Sequence, residues 1–108
     1  MNKGTCFPVF FPYEYCNLLE DYLSHTKTAV NRLASGYDEL ESANAVIKWM
    51  RSVIQKIYQH YFPPGSELLE INSGTGTDAV ILATKGIKIF ANDISPAMIE
   101  ILRTKAIT

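Results

Sequence analysis

The sequence predicts an α/β fold in which N-terminal helices precede a β-α-β-α unit. The first observation is a change of hydrophobic pattern at Pro63-Pro64-Gly65, from helical spacing before it to alternating strands and helices after it. The second is a pair of short apolar runs, at residues 67–72 and 87–91, each followed by a helical pattern. Strands joined through a helix by short links are parallel, with a right-handed crossover. We therefore divide the chain into a helical region, 1–65, and a β-α-β-α unit, 66–108.

The composition excludes several classes of protein. With 108 residues, 47% of them apolar, the chain can form one small core, so disorder is not the default. The net charge is −1 and no Lys/Arg-rich run occurs, so we expect no nucleic-acid partner. No apolar run approaches the length of a bilayer, and Pro8, Pro12 and Glu14 interrupt the N-terminal aromatics, so we expect no signal peptide and no membrane partner. We expect a cytoplasmic protein.

Cysteine and histidine do not form a recognisable metal motif. Cys6 and Cys16 have no zinc-like spacing to His25 or His60, and two thiols make no disulfide framework. We expect no metal site and interpret the thiols as small buried or half-buried side chains.

Two helices are predicted in the N-terminal region. The first has apolar residues on one face, could be interrupted at residues 24–26, and ends at Gly36. The second covers residues 44–61, with Ser42 or Asn44 as its N-cap and Pro63-Pro64 after its end. Its stripe is interpreted as core packing and consists of Val46, Ile47, Met50, Ile54, Ile57, Tyr58 and Tyr61. We also expect the N-terminal aromatics to fill the small core rather than cover a ligand; these are Phe7, Phe10, Phe11, Tyr13 and Tyr15.

The second region has clear element boundaries. A strand at residues 67–72 leads through a glycine-rich loop into a helix at 77–85, with Gly86 just after its end. A second strand covers residues 87–91. The last helix starts at Ser95-Pro96, with a hydroxyl cap followed by proline at the first helical position, and continues to residue 106.

The glycine-rich loop is a candidate ligand site. Gly74 and Gly76 allow close approach of a ligand to the backbone and tolerate positive φ. The N–H groups that open the next helix face the same place and favour a polar, partly anionic ligand. Asp93 follows the second strand at the same carboxyl edge, where its carboxylate can accept hydrogen bonds from ribose hydroxyls. The alternatives are an ordinary strand–helix link and, for Asp93, a turn cap at Asn92-Asp93.

Glu70 separates two classes of cofactor. Residues 74–79 satisfy the dinucleotide pattern G-x-G-x-x-A, but a carboxylate just before the loop would repel a pyrophosphate. The same carboxylate attracts an ammonium group. S-adenosylmethionine has an ammonium for Glu70 and a carboxylate for the loop amides. Glu70 could instead cap nearby backbone N–H groups. No Gly-Lys-Ser/Thr sequence follows the loop, which excludes a P-loop.

At these residues the chain resembles the class I S-adenosylmethionine-dependent methyltransferases. Residues 70–76, E-I-N-S-G-T-G, are similar to the family's [D/E]-x-G-x-G-x-G motif, with Asn72 in place of the first glycine. Residues 93–98, D-I-S-P-A-M, are similar to its acidic motif after the second strand, and residues 33–38, L-A-S-G-Y-D, resemble its L-A-x-x-Y-D segment. The resemblance implies a Rossmann-like sheet.

The resemblance also assigns roles to residues. Asp93 would hold the ribose hydroxyls, Ile94 and Met98 would pack on the adenine, and Tyr37 would lie near the cofactor. The full predicted set that binds S-adenosylmethionine, or its product S-adenosylhomocysteine, is Glu70, Asn72, Ser73, Gly74, Thr75, Gly76, Asp93, Ile94, Met98 and Tyr37. No catalytic residue is identified, and His25 and His60 are candidates only by residue type.

The resemblance covers the start of the family's catalytic domain. The family's later strands, which line the methyl-transfer site, have no counterpart here, so we hypothesise an incomplete sheet in an N-terminal fragment of an enzyme for a small-molecule acceptor. We expect no turnover from this chain alone. Its open sheet edges predict self-association. The alternatives are a fragment of an NAD-type oxidoreductase and a non-enzymatic association module.

Overall fold

The computed structural model describes residues 13–107, with side chains described from residue 19 onward. It is a mixed α/β structure with a two-stranded parallel sheet, as predicted. In chain order its elements are α1 (Tyr13–Leu33), a 3₁₀ turn (Ala34–Gly36), α2 (Tyr37–Ala43), α3 (Ala45–Tyr61), β1 (Glu67–Ile71), α4 (Thr77–Thr84), β2 (Lys88–Asn92) and α5 (Pro96–Ile107). The side chains of Tyr13, Tyr15 and Cys16, like Cys6, Phe7, Phe10 and Phe11, lie outside the described part.

Helix α1 is continuous where an interruption was considered. The hydroxyls of Thr26 and Thr28 donate to the carbonyls of Tyr22 and Ser24, four residues earlier, both at 2.9 Å. These polar side chains are therefore satisfied inside the helix and do not break it. The predicted end near Gly36 is confirmed by the 3₁₀ turn. The seven-residue helix α2 that follows was not predicted.

Helix α3 has the predicted cap but not the predicted buried face. Asn44 Oδ1 accepts from the backbone N–H groups of Val46 and Ile47 at 3.0 and 3.2 Å, which confirms Asn44 as the N-cap. The interpretation of the whole apolar stripe as core is wrong. Much of it is exposed, with exposed fractions of 65% for Val46, 49% for Met50, 49% for Ile57 and 69% for Tyr61.

The orientation of α3 has a physical cause. Arg51 and Gln55, on its other face, both donate to the carboxylate of Asp78 on α4, at 2.8 and 2.6 Å. Burying the exposed stripe would turn these groups away from Asp78 and leave a part-buried carboxylate without partners, which is costly. The polar contacts therefore determine which face of α3 packs on the sheet unit.

The sheet has one covered and one open face. β1 and β2 are parallel and in register, with Leu68 opposite Ile89 and Glu70 opposite Ala91. Side chains alternate between faces in a strand, so Leu68 and Glu70 point to the covered face, against which the helices pack. On the other face Leu69, Ile71 and Phe90 are 67%, 68% and 50% exposed.

The core is small and lies mainly between α4, α5 and the sheet. Among the residues whose side chains are described, the buried apolar ones are Ala34, Ala79, Leu82, Ile87 and Met98. Gly86 has φ +82° after the end of α4, which confirms its predicted place beyond the helix. Ion pairs of α2 and α3 with α4 and α5 cross the predicted boundary at residues 65 and 66, so the two regions pack on each other.

Candidate ligand site at the glycine loop

Three residues of the loop between β1 and α4 have left-handed backbone. Asn72, Gly74 and Gly76 have φ of 58°, 57° and 76°. Asparagine is one of the few non-glycine residues that adopt this conformation readily. Asn72 therefore has a glycine-like backbone at the position of the first glycine in the [D/E]-x-G-x-G-x-G motif that residues 70–76 resemble.

The two glycines differ in their surroundings. A Cβ on Gly76 would lie 2.4 Å from Leu102 Cγ, so close packing of α5 on the loop requires glycine there. A Cβ on Gly74 would meet no atom within 4 Å, so space beside its backbone is open. Gly76 thus fixes the loop against the protein, whereas Gly74 presents backbone to an open space.

Asp93 joins the two strand ends. Its Oδ2 accepts from the Gly74 N–H at 2.9 Å and its Oδ1 accepts from the Ser95 N–H at 2.8 Å. The Ser73 N–H donates to the Asn92 carbonyl at 2.9 Å beside it. The turn-cap alternative for Asp93 is therefore part of its role. Each carboxylate oxygen has a further lone pair, so these bonds are compatible with ribose hydroxyls.

Glu70 has a buried carboxylate oxygen with no hydrogen bond. Its Oε2 is buried and makes no hydrogen bond to any described residue, so the proposed capping of backbone N–H groups does not satisfy this atom. Burial, and secondarily the nearby Asp78 carboxylate, raise the pKa of Glu70, while the Arg51 guanidinium acts in the opposite direction. The buried Ser73 Oγ is also without a hydrogen bond among the described residues. Two unsatisfied polar atoms thus flank the start of the loop, and both fit a ligand that donates hydrogen bonds.

The charges nearest Glu70 already have partners. Asp78 accepts from Arg51 and Gln55, and Arg51 also pairs with Glu41 of α2. The cation of this network is therefore shared between two other carboxylates. An added ammonium group would give Glu70 Oε2 a hydrogen-bonded cationic partner, which no described residue provides.

A second cluster holds the loop from the side of α2. Thr75 Oγ1 donates to Asp38 Oδ1 at 2.5 Å, and Lys105 Nζ lies 2.5 Å from Asp38 Oδ2 and 3.1 Å from Thr75 Oγ1. Sequence reasoning missed Asp38 and Lys105. Asp38 ends the L-A-S-G-Y-D segment, which could have indicated it, whereas no sequence pattern indicates Lys105.

The remaining predicted residues lie at different depths. Tyr37 is half-buried at the start of α2, where burial and then a hydrogen bond with Glu41 raise the pKa of its phenol. Ile94 is 36% exposed beside Asp93, whereas Met98 is 2% exposed and belongs to the core. Their contacts with a cofactor stay predictions.

A cavity of about 320 Å³ lies next to the N-terminus of α4. Charged residues of α2, α3 and α5 line it, including Asp38, Glu41, Lys48, Arg51 and Lys105. In the part of the chain that the structure describes, no group of acidic, histidine or cysteine side chains is arranged to hold a metal ion. Within the same part, no helix combines the length and hydrophobicity needed to cross a bilayer.

Two curated proteins, both methyltransferases, are similar to the chain. A demethylmenaquinone methyltransferase of Symbiobacterium thermophilum is 27% identical over 90 residues, which are 80% of this chain and 36% of the relative. A tRNA (guanine(37)-N(1))-methyltransferase of Leishmania braziliensis is 40% identical over 43 residues, 40% of this chain and 6% of the relative. No protein-family model and no solved structure matches the chain.

These similarities indicate a relationship to methyltransferases, at low identity and partial coverage. The chain spans well under two thirds of the length of either relative.

Proposed function

We propose that the chain is the cofactor-binding, N-terminal part of an S-adenosylmethionine-dependent methyltransferase with a Rossmann-like sheet. The observation that carries the proposal is the buried, unpaired Oε2 of Glu70 at the start of a glycine loop with three left-handed residues. The similarity to two methyltransferases supports the same class of activity.

Each part of the site would bind a different part of the cofactor. The N–H groups that begin α4, beside the open space at Gly74, would bind the carboxylate, and Glu70 would bind the ammonium group. Asp93 would accept from the ribose hydroxyls with the lone pairs that Gly74 and Ser95 leave free. Ile94, Met98 and Tyr37 complete the proposed site.

When bound, S-adenosylmethionine would supply a methyl group on a sulfonium: an acceptor forms a bond to the methyl carbon in line as the carbon–sulfur bond breaks, and S-adenosylhomocysteine leaves. Such a transfer depends on positioning and desolvation and needs no covalent protein intermediate. The residues of this chain would hold and orient the donor, and no general base is assigned. We propose a small-molecule acceptor, because the relative that matches 80% of the chain is named for demethylmenaquinone.

The open face of the sheet favours a second candidate function, a module that only mediates association. Leu69, Ile71 and Phe90 are at least half exposed, and such apolar patches mark interaction surfaces. Self-association through this face or through the sheet edges would need no cofactor.

Titration of the chain with S-adenosylhomocysteine and with NAD, by isothermal calorimetry, separates the candidates. The proposal predicts binding of S-adenosylhomocysteine and none of NAD, because Glu70 opposes a pyrophosphate. Preference for NAD would contradict the role of Glu70. Binding of neither ligand by a stably associated protein would support the association module.

A further inference from the structure

Thr75 is a buried side-chain anchor of the glycine loop. It lies between Gly74 and Gly76 and is 2% exposed. Its hydroxyl donates to Asp38 of α2 at 2.5 Å and accepts from Lys105 of α5 at 3.1 Å. Asp38 and Lys105 also pair with each other at 2.5 Å. One hydroxyl thus connects the loop to two helices that are far apart in the sequence.

The loop needs such an anchor. Fixing the backbone of a residue costs conformational entropy, and glycine loses the most conformational freedom of all residues. Two hydrogen bonds hold the start of the loop: the Ser73 N–H donates to the Asn92 carbonyl, and the Gly74 N–H donates to the Asp93 carboxylate. The next residue, Thr75, is held by its side chain, because its hydroxyl donates to Asp38 of α2.

The carboxylate of Asp38, which accepts from Thr75, is ionised at neutral pH. Burial by itself would raise the pKa of Asp38, but the hydrogen bonds from Lys105 and Thr75, together with the positive charges of Lys105 and Arg51, outweigh burial, and the pKa of Asp38 is lowered. The carboxylate therefore stays charged and continues to accept from both partners.

We propose that Asp38 and Lys105 are positioning residues that act through Thr75 to hold the glycine loop in the shape that binds the cofactor. The inference rests on the proposed function, since it assigns these residues to the same site. In the absence of ligand they would keep the loop ordered, so that less conformational entropy is lost when the ligand binds.

Four single variants test the proposal. Thr75→Val keeps the shape of the side chain but removes the hydroxyl, and Thr75→Ser keeps the hydroxyl. Asp38→Asn removes the charge that pairs with Lys105. The matched control is Glu67→Gln, which removes the charge of an exposed ion pair with Lys88, 2.9 Å long, away from the loop.

The measurements are calorimetric affinity for S-adenosylhomocysteine, the melting temperature, and amide hydrogen exchange at residues 73–77 of the ligand-free protein. Thr75→Val and Asp38→Asn should each weaken binding roughly three- to tenfold, the effect of one lost hydrogen bond. Both should also speed exchange in the loop. Glu67→Gln should match the wild type in affinity and exchange, and Thr75→Ser, which keeps the hydroxyl, should restore most of the affinity and protection from exchange that Thr75→Val loses.

Failure of the positioning role can be distinguished from failure of the proposed function. If the wild type binds S-adenosylhomocysteine and Thr75→Val and Asp38→Asn bind it equally well, the positioning role is wrong while the proposed function stands. A loss of affinity that Thr75→Ser shares, together with a lower melting temperature, would show a merely structural role and also overturn the proposal. If the wild type binds no S-adenosylhomocysteine, the proposed function fails and the positioning role fails with it.

Discussion

Replacing Glu70 by glutamine tests the proposed ammonium site. The substitution keeps the size and shape of a side chain whose Oε2 is buried and unpaired, while it removes the charge and replaces one acceptor oxygen by an amide NH2 group. A hydrogen bond to a charged group contributes about 1.5–3 kcal/mol, and 1.36 kcal/mol corresponds to a factor of ten. We therefore expect Glu70→Gln to weaken binding of S-adenosylhomocysteine roughly 10- to 150-fold.

The same substitution should stabilise the ligand-free protein at neutral pH. Burial raises the pKa of Glu70 above its value in the unfolded chain, so the folded state binds the proton more tightly. The ionised carboxylate therefore reduces stability at neutral pH, and this loss is recovered as the pH falls through the raised pKa. Melting curves should show Glu70→Gln above the wild type at neutral pH, with the difference shrinking at mildly acidic pH.

Calorimetry with two ligands isolates the ammonium contact. Methylthioadenosine carries the adenosine and the sulfur but neither the amino group nor the carboxylate, so its affinity should be the same for Glu70→Gln and the wild type. Glu67→Gln, on the open face of the same strand, is the matched control and should change neither affinity. Equal losses for both ligands, or unchanged affinity for S-adenosylhomocysteine, would exclude an ammonium contact at Glu70.

Three further predictions concern the loop, the second strand and the open face. Asp93→Ala should weaken S-adenosylhomocysteine binding by about 1–3 kcal/mol in calorimetry, and unchanged affinity with an intact fold would remove Asp93 from the site. Gly76→Ala should lower the melting temperature more than Gly74→Ala, because both have positive φ but only a Cβ at Gly76 would collide with the side chain of Leu102; equal shifts would contradict this. Leu69→Lys, at a site 67% exposed, should reduce self-association in light scattering, and an unchanged oligomeric mass would exclude this face from the interface.

Local sequence signals predicted much of the β-α-β-α unit and the start of α3. The β-α-β-α order, the parallel pairing, the Asn44 cap and the Gly86 position each depend on a few neighbouring residues with strong conformational preferences. Helix α2 was missed because it is short and leaves no apolar residue buried. The exposed face of α3 was assigned to the core because the apolar spacing shows only that a stripe exists. It does not show that Asp78, far away in the sequence, binds the opposite face of the helix.

The site was predictable only in part for the same reason. The loop, Glu70 and Asp93 are adjacent to strand ends, and topology brings them together. The cluster of Asp38, Thr75 and Lys105 joins residues from three separate elements, so no spacing in the sequence indicates it. Left-handed Asn72 explains how a motif position can differ in residue type and keep its backbone shape.

The most direct test of the central claim is the pKa of the Glu70 carboxyl, measured by carbon NMR titration with and without S-adenosylhomocysteine. We expect a raised pKa in the free protein that falls when the ligand's ammonium group binds. A pKa that stays raised in the saturated complex would contradict it, because the carboxylate would then have no cationic neighbour.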